Sequence, residues 1–272
     1  MTQPVERERA ESQIPKEDSE RISKYLKVIK AEHDLVIHNI GDWTKGEIQI
    51  VTDPVEIYQA EQKLATNWPK DKEPPQAYVY DGRFSTYINH IVKRANPESP
   101  TGFSYGTFHE VIWGFERKGN WGNAVLPVYT DKEGVKRICL VKIFRRPTGS
   151  WEVEVPGFSQ EPGEKVKETI GRELMEEIRC KVAGEVVEIG TGTTDSGLMH
   201  LENHLWYVPV EPLEATGALD YEEAISDRVF LTVDEVKKAL IAGKVKFGEE
   251  EVPIRDGRLL MVFAQASIRG LI

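Results

Sequence analysis

Residues 151–181, WEVEVPGFSQEPGEKVKETIGRELMEEIRCK, constrain most tightly what this chain can fold into. Val153 and Val155 alternate with Glu152 and Glu154, the period-two pattern of a half-buried strand. Pro156 and Gly157 stop that strand, and Pro162 and Gly163 mark a second bend. From Glu164 the pattern turns helical. Val166, Ile170, Leu174 and Ile178 recur every four residues and form an apolar stripe. Gly171 lies inside this helix, where glycine costs roughly 1 kcal/mol relative to alanine. Its presence predicts close packing of the helix on a flat surface such as a sheet.

The polar side of the same helix carries the chemistry. Glu173, Glu176 and Glu177 are spaced i, i+3 and i+4 and share one face. Like charges so placed repel by roughly 0.2–0.5 kcal/mol per pair. The repulsion reverses if a hard divalent cation binds between them, since Mg²⁺ and Mn²⁺ favour oxygen ligands. Arg172 follows Glu168 by four residues, a spacing that predicts a local ion pair. Composition alone favours a simpler reading, a solvated acidic face.

The order of the residues changes that weighting. Glu164, seven residues, then Arg172-Glu173-Leu174-Met175-Glu176-Glu177 resembles the Nudix box, the signature of Nudix hydrolases. Two positions depart from the family pattern. Phe158 stands where the first box glycine belongs, with Gly157 one place early, and Arg179 stands where the last glycine belongs. The resemblance implies an α+β fold, an α/β/α sandwich with a mixed sheet between helices.

The chain has 272 residues, 40% hydrophobic and 29% charged, which fits a globular protein with a sizeable core. A net charge of −10 argues against a nucleic-acid backbone as the main partner, although a bound metal can invert the local field for an anionic substrate. Cys139 and Cys180 form no CxxC pair and read as small buried hydrophobes. The charged N-terminus is no signal peptide and no apolar run has membrane-span length, so a cytoplasmic setting without membrane contact is expected.

The organisation reads as a polar arm over residues 1–22, an α+β segment over 23–115, and a Nudix-like domain over 116–272. In the middle segment, Ile22–Ala31 and the run after Thr52-Asp53-Pro54 read as helices. Residues 35–40, 47–51 and 77–80 read as strands, Phe84–Ala95 as a helix, and Asn96–Gly106 as a loop. His33, His38, His90 and His109 lack metal-ligand spacing and read as structural or surface residues. Tyr78, Tyr80, Phe84, Tyr87, Phe103, Tyr105 and Phe108 are expected in the core rather than in a stacking wall.

From Asn123 onward the strands at 124–129 and 137–144 lead through Arg145 and Arg146 to Trp151. The stretches Val141–Arg145 and Glu152–Gly157 make the layout resemble the ADP-ribose pyrophosphatase branch of the Nudix superfamily. Strands are expected at 185–189, 200–208 and 227–231, then two helices at 236–242 and 256–268 around a short connector. A capping box at Thr232–Glu235 opens the first of these. His200 and His204 share a strand face and read as packing or ligand-contact residues.

The resemblance also implies roles. Glu173 and Glu177 are expected to hold Mg²⁺ (or Mn²⁺), with Glu176 behind them or bridging and the Gly157 carbonyl adding an oxygen. Glu164 is expected to contact Arg172 or shape the loop. Glu222 or Glu223, on a loop after the central strands, is expected as the general base, with Arg172 alongside them in the catalytic set. Arg145, then Arg146, Glu202 and Phe158, are expected to contact substrate. The implied reaction is hydrolysis of a nucleoside diphosphate linked to another group, of the ADP-ribose or nucleotide-sugar type, by a homodimer. A module that binds a nucleotide without turning it over, as sensor or scaffold, is the competing reading, and a purely structural domain is a third.

Overall fold

Side chains alternate across the central strands so that both sheet faces are apolar, and that forces a three-layer arrangement. In the computed structural model, which describes residues 12–33, 39–160, 163–214, 219 and 223–272, Ala124, Leu126, Val128, Ile138 and Leu140 face one layer. Val125, Cys139, Val141 and Ile143 face the other. The chain divides into two units, residues 1–119 with 195–200, and residues 120–194 with 201–272.

The second unit holds β5 (Gly122–Thr130), β6 (Lys136–Arg145), β7 (Ser150–Glu154), β8 (Gly157–Ser159), β9 (Cys180–Val182), β10 (Val187–Gly192), β11 (Asn203–Pro212) and β12 (Ile225–Thr232). Their order is β10-β11-β5-β6-β12, with β7 on β6, β8 on β5 and β9 on β11. β11 runs parallel to β5, while its other neighbours are antiparallel, so the sheet is mixed. Helix α3 (Val166–Ile178) covers one face through Ile170, Leu174 and Ile178. Helices α4 (Val233–Ala242) and α5 (Gly257–Ile268) cover the other through Val236, Leu259, Val262, Phe263 and Ala266. This is the expected α+β sandwich of a mixed sheet between helices. The connector between α4 and α5 is a hairpin, β13 (Lys244–Phe247) with β14 (Glu250–Pro253), which the sequence reading passed over.

The first unit contains α1 (Lys16–His33), α2 (Pro54–Thr66), β1 (Gln49–Ile50), β2 (Tyr78–Asp81), β3 (Ser85–Ala95) and β4 (Phe103–Trp113). Ile22, Tyr25 and Ile29 of α1 and Ile57 and Ala60 of α2 pack on Ile88, Ile91 and Ile112 of the sheet. Inside, Tyr25 Oη lies 3.0 Å from His90 Nδ1, and His90 Nε2 lies 2.9 Å from Glu110. Asp53 caps α2 by accepting from the Glu56 N–H, with Pro54 at its first turn.

Several expectations fail here. The helix expected over Phe84–Ala95 is strand β3. Thr86, Tyr87, Ile88, Ile91 and Val92 are β-branched or aromatic, and residues 88–92 are buried on both sides, so no polar alternation marks the strand. The expected loop over 96–106 gives way to β4 at Phe103. Tyr80 and Phe84, expected in the core, are 70% and 71% exposed. Residues 200–202 precede β11 rather than belonging to it, and His200 falls in the first unit, 3.5 Å from Glu116. Most of the strand expected at 35–40 lies outside the described residues, as do His38 and the side chain of His33. Nor does packing demand Gly171: a Cβ built there meets no neighbouring atom.

Candidate active site

Strand β7, the β8 turn and α3 place the acidic segment, and the apolar stripe of α3 fixes which way its glutamates face. With Ile170, Leu174 and Ile178 turned to the sheet, Glu173 and Glu176 fall on the flank, and Glu177 is buried at 1% exposure. Arg172 lies among the carboxylates. It reaches Glu173 at 2.9 Å, Glu176 at 3.1 Å and Glu164 at 3.2 Å. Thr169 Oγ1 also donates to Glu164, at 2.8 Å. The local pair expected with Glu168 does not form, because Glu168 turns to Lys165 at 3.5 Å. Burial pushes the Glu173 carboxyl up from its ordinary range. Arg172 opposes the shift, and the charges of Glu176 and Glu223 add to it.

Glu223 is therefore electrostatically part of this cluster, although it is exposed and sits on the loop before β12. It also acts on Arg145. Glu154 is the main influence holding that guanidinium charged, with Glu223 and Asp256 contributing from further away. Glu222 lies outside the described residues.

A second cluster centres on Glu154. Arg145 Nε and Nη2 donate to its two oxygens, each at 2.6 Å, the fork geometry that suits guanidinium to carboxylate. Arg258, in the first turn of α5, donates to the same carboxylate and to Asp256 at 3.0 Å. This explains the displaced glycine. A Cβ on residue 157 would stand 2.7 Å from Arg258 Nη1 and 3.0 Å from the Asn123 carbonyl. Glycine at 157 lets the Asn123 backbone and the Arg258 guanidinium both lie close to the turn, and the carbonyl is the neighbour less able to move.

Phe158, expected at the substrate, is 8% exposed and packs in the core with Val125, Val141, Ile170 and Leu174. Alternation along β8 points residue 158 inward. Arg146 is exposed beyond the end of β6, and Glu202 is exposed before β11, with only its main-chain carbonyl engaged, by the Gly122 N–H at 3.2 Å. Among the described residues, neither side chain contacts the acidic cluster. His204 stacks on Trp121 with centroids 4.5 Å apart and lies 2.6 Å from Glu188.

The C-terminal end of α3 carries the other departure. Arg179 caps the helix in the left-handed region at φ 49°, ψ 49°, where a non-glycine residue is strained. Arg228, from β12, compensates by donating to the carbonyls of Ile178, of Arg179 at 3.1 Å and of Leu213 at 2.6 Å. It supplies donors to helix-end carbonyls and a positive charge at the negative end of the dipole.

Among the described residues, no group of three His, Cys, Asp or Glu side chains stands close enough to hold a metal ion by itself. The donor chemistry nevertheless fits a hard cation: all-oxygen ligands, crowded negative charge at Glu173, and a carboxylate one turn on at Glu177. Mg²⁺ characteristically needs only one or two protein carboxylates and completes its shell with water and phosphate oxygens.

Residues 121–250 match the family model described as NUDIX domain. The chain carries a Nudix domain. That family comprises pyrophosphohydrolases, which generally use divalent metal ions and act on nucleoside diphosphate derivatives. No curated protein matches the chain. No described helix is long and apolar enough to cross a membrane. Sequence reasoning missed Arg228 and Arg258 in this Nudix unit, and Arg258 lies beyond the matched segment. The one local signal for Arg258 was the Asp256-Gly257 helix start, where Asp256 accepts from the Arg258 N–H.

Proposed function

We propose that the Nudix domain hydrolyses the diphosphate of a nucleoside diphosphate joined to another group, of the ADP-ribose or nucleotide-sugar type. The products are a nucleoside monophosphate and a phosphorylated second product. The observation that carries this reading is the set of three carboxylates, Glu164 before the helix and Glu173 and Glu176 on it, gathered within 3.2 Å of the single Arg172 guanidinium. Carboxylates that outnumber the guanidinium leave surplus negative charge, which a cation stabilises.

Glu173 and Glu177 would hold Mg²⁺ or Mn²⁺, with Glu176 and the Gly157 carbonyl as further oxygen donors. Bound there, such an ion neutralises the diphosphate oxygens and lowers the pKa of a coordinated water. The protein's own groups do the remaining work. Glu223 accepts the proton of the attacking water at its carboxylate; Glu222, its neighbour, is the alternative base. Arg145, with two of its donors fixed by Glu154, presents the rest of its guanidinium to the diphosphate. Glu164 anchors Arg172, which keeps the glutamate row from splaying.

A panel of nucleoside diphosphate derivatives, incubated with MgCl₂ or MnCl₂ and scored for nucleoside monophosphate, tests this. Metal-dependent release from ADP-ribose or a nucleotide sugar is expected. Tight binding without turnover across the whole panel would contradict it.

A further inference from the structure

The hydrolysis proposed above gives Arg145 a task and Arg258 none. Arg258 opens α5, and its guanidinium is engaged through Nε, which donates to Asp256 at 3.0 Å, and through Nη2, which donates to Glu154. Arg145 is held the same way, with Nε and Nη2 on Glu154, each at 2.6 Å. In both, Nη1 is left over. Neither Nη1 has a hydrogen-bond partner among the described residues, and neither is closed off from solvent. The two side chains are 37% and 21% exposed. A guanidinium is all donor and no acceptor, so each arginine has a fixed head and N–H groups that the protein leaves unused.

The two heads are also held side by side. Nη2 of Arg145 and Nη2 of Arg258 donate to the same oxygen of Glu154, Oε2. Like charges gathered at one oxygen repel, and an anion that reaches both relieves the repulsion. Arg258 Nη1 lies over the Gly157 turn, 2.7 Å from where a Cβ would stand. Glu223 acts electrostatically on Arg145 and on Glu173 alike, so the arginine pair and the acidic face share one neighbourhood. A lone phosphate can meet one such head, whereas linked phosphates can meet both.

We propose that Arg258 is a second diphosphate contact, and that its Nη1 and the Nη1 of Arg145 each donate to one phosphate of the bound diphosphate, a clamp built on Glu154. The ligand class rests on the hydrolysis reading. The clamp itself is tested by binding, which needs no turnover.

The probe is methylenediphosphonate, a diphosphate analogue whose bridge cannot be hydrolysed, titrated into the full chain at fixed MgCl₂ and followed by ³¹P NMR. Inorganic phosphate is the control. The wild type is expected to saturate with the analogue at a Kd below about 1 mM and to bind phosphate at least tenfold more weakly. Arg258→Met keeps an apolar stem and drops the head, and should weaken binding of the analogue at least tenfold. Arg258→Lys keeps the charge without the fork and should lose at least threefold; it keeps the test valid if Arg258→Met fails to fold. An arginine that acted only by holding Glu154, and through it Arg145, would matter no further once Arg145 is replaced. A direct contact predicts that Arg145→Met with Arg258→Met binds the analogue at least threefold more weakly than Arg145→Met alone. Arg145→Lys and Arg258→Lys serve the same comparison if the methionine variants fail to fold. The proposal is overturned if the wild type does not saturate, or if folded Arg258 variants bind as the wild type does. It is also overturned if the double variant binds as the Arg145 variant does, which would make Arg258 a positioning residue. A chain that hydrolyses no diphosphate yet titrates as described removes the hydrolysis reading alone. One that hydrolyses a diphosphate while its Arg258 variants bind unchanged removes the clamp alone.

Discussion

Two arginine–carboxylate clusters in the Nudix unit differ in charge balance, one even and one with surplus carboxylate. Around Glu154, whose side chain is 5% exposed, two guanidinium groups surround one buried carboxylate. Around Arg172, whose side chain is 37% exposed, one guanidinium faces the three carboxylates of Glu164, Glu173 and Glu176. In the first, Asp256 also accepts from Arg258, so two buried carboxylates balance two arginines, and removing Glu154 unpairs charge at a buried position. The second has surplus negative charge near solvent, where ion pairs contribute little to stability. Burial thus separates a cluster that holds the β7–α5 corner in place from one whose unbalanced charge is available for a cation and substrate.

The largest effect is expected at the negative cluster and in turnover. Glu173→Gln and Glu177→Gln should each lower kcat/KM for the active diphosphate by roughly two to four orders of magnitude, about 3–5 kcal/mol of transition-state stabilisation. Circular dichroism should show both variants folded, since glutamine keeps the volume of glutamate. Retained turnover in both folded variants would remove the metal assignment.

Stability should respond in the opposite place. Glu154→Ala leaves Arg145 without this partner and Arg258 with Asp256 alone, and should lower unfolding free energy by about 1–3 kcal/mol in urea. Arg172→Ala should change it by less than about 1 kcal/mol, because two of its three partners, Glu164 and Glu176, remain hydrated. Equal losses in the two variants would erase the distinction between the clusters.

The smallest effect is a gain. Arg179→Gly relieves a left-handed residue and should raise stability by about 0.5–1 kcal/mol, read as an upward shift of roughly 1–4 °C in the thermal midpoint. A lower midpoint would mean that the arginine side chain stabilises the helix end by more than its backbone strain costs.

The acidic helix was legible in the sequence because its apolar period and its carboxylate spacing are both local. The sandwich was legible for a related reason: β5 and β6 alternate between two apolar faces, and α3 has a single stripe to bury. What stayed hidden depends on residues far apart in the chain. Arg258 meets Glu154 across 104 positions and Arg228 meets Ile178 across 50, and no window along the sequence contains either pair. The displaced glycine could not be understood without Arg258 lying over it. The core position of Phe158 was also hidden, because it follows from pairing of β8 with the distant β5. In the first unit, β3 is buried on both sides, which removes the alternation that identifies a strand.

Calorimetric titration of Mn²⁺ into the wild-type chain and into Glu173→Gln and Glu177→Gln probes the acidic face most directly. Saturable binding by the wild type, weakened at least tenfold in each folded variant, is the expected result. Wild-type and variant chains that bind Mn²⁺ equally, or a wild type that binds none even with a diphosphate present, would contradict the assignment of these carboxylates to a cation.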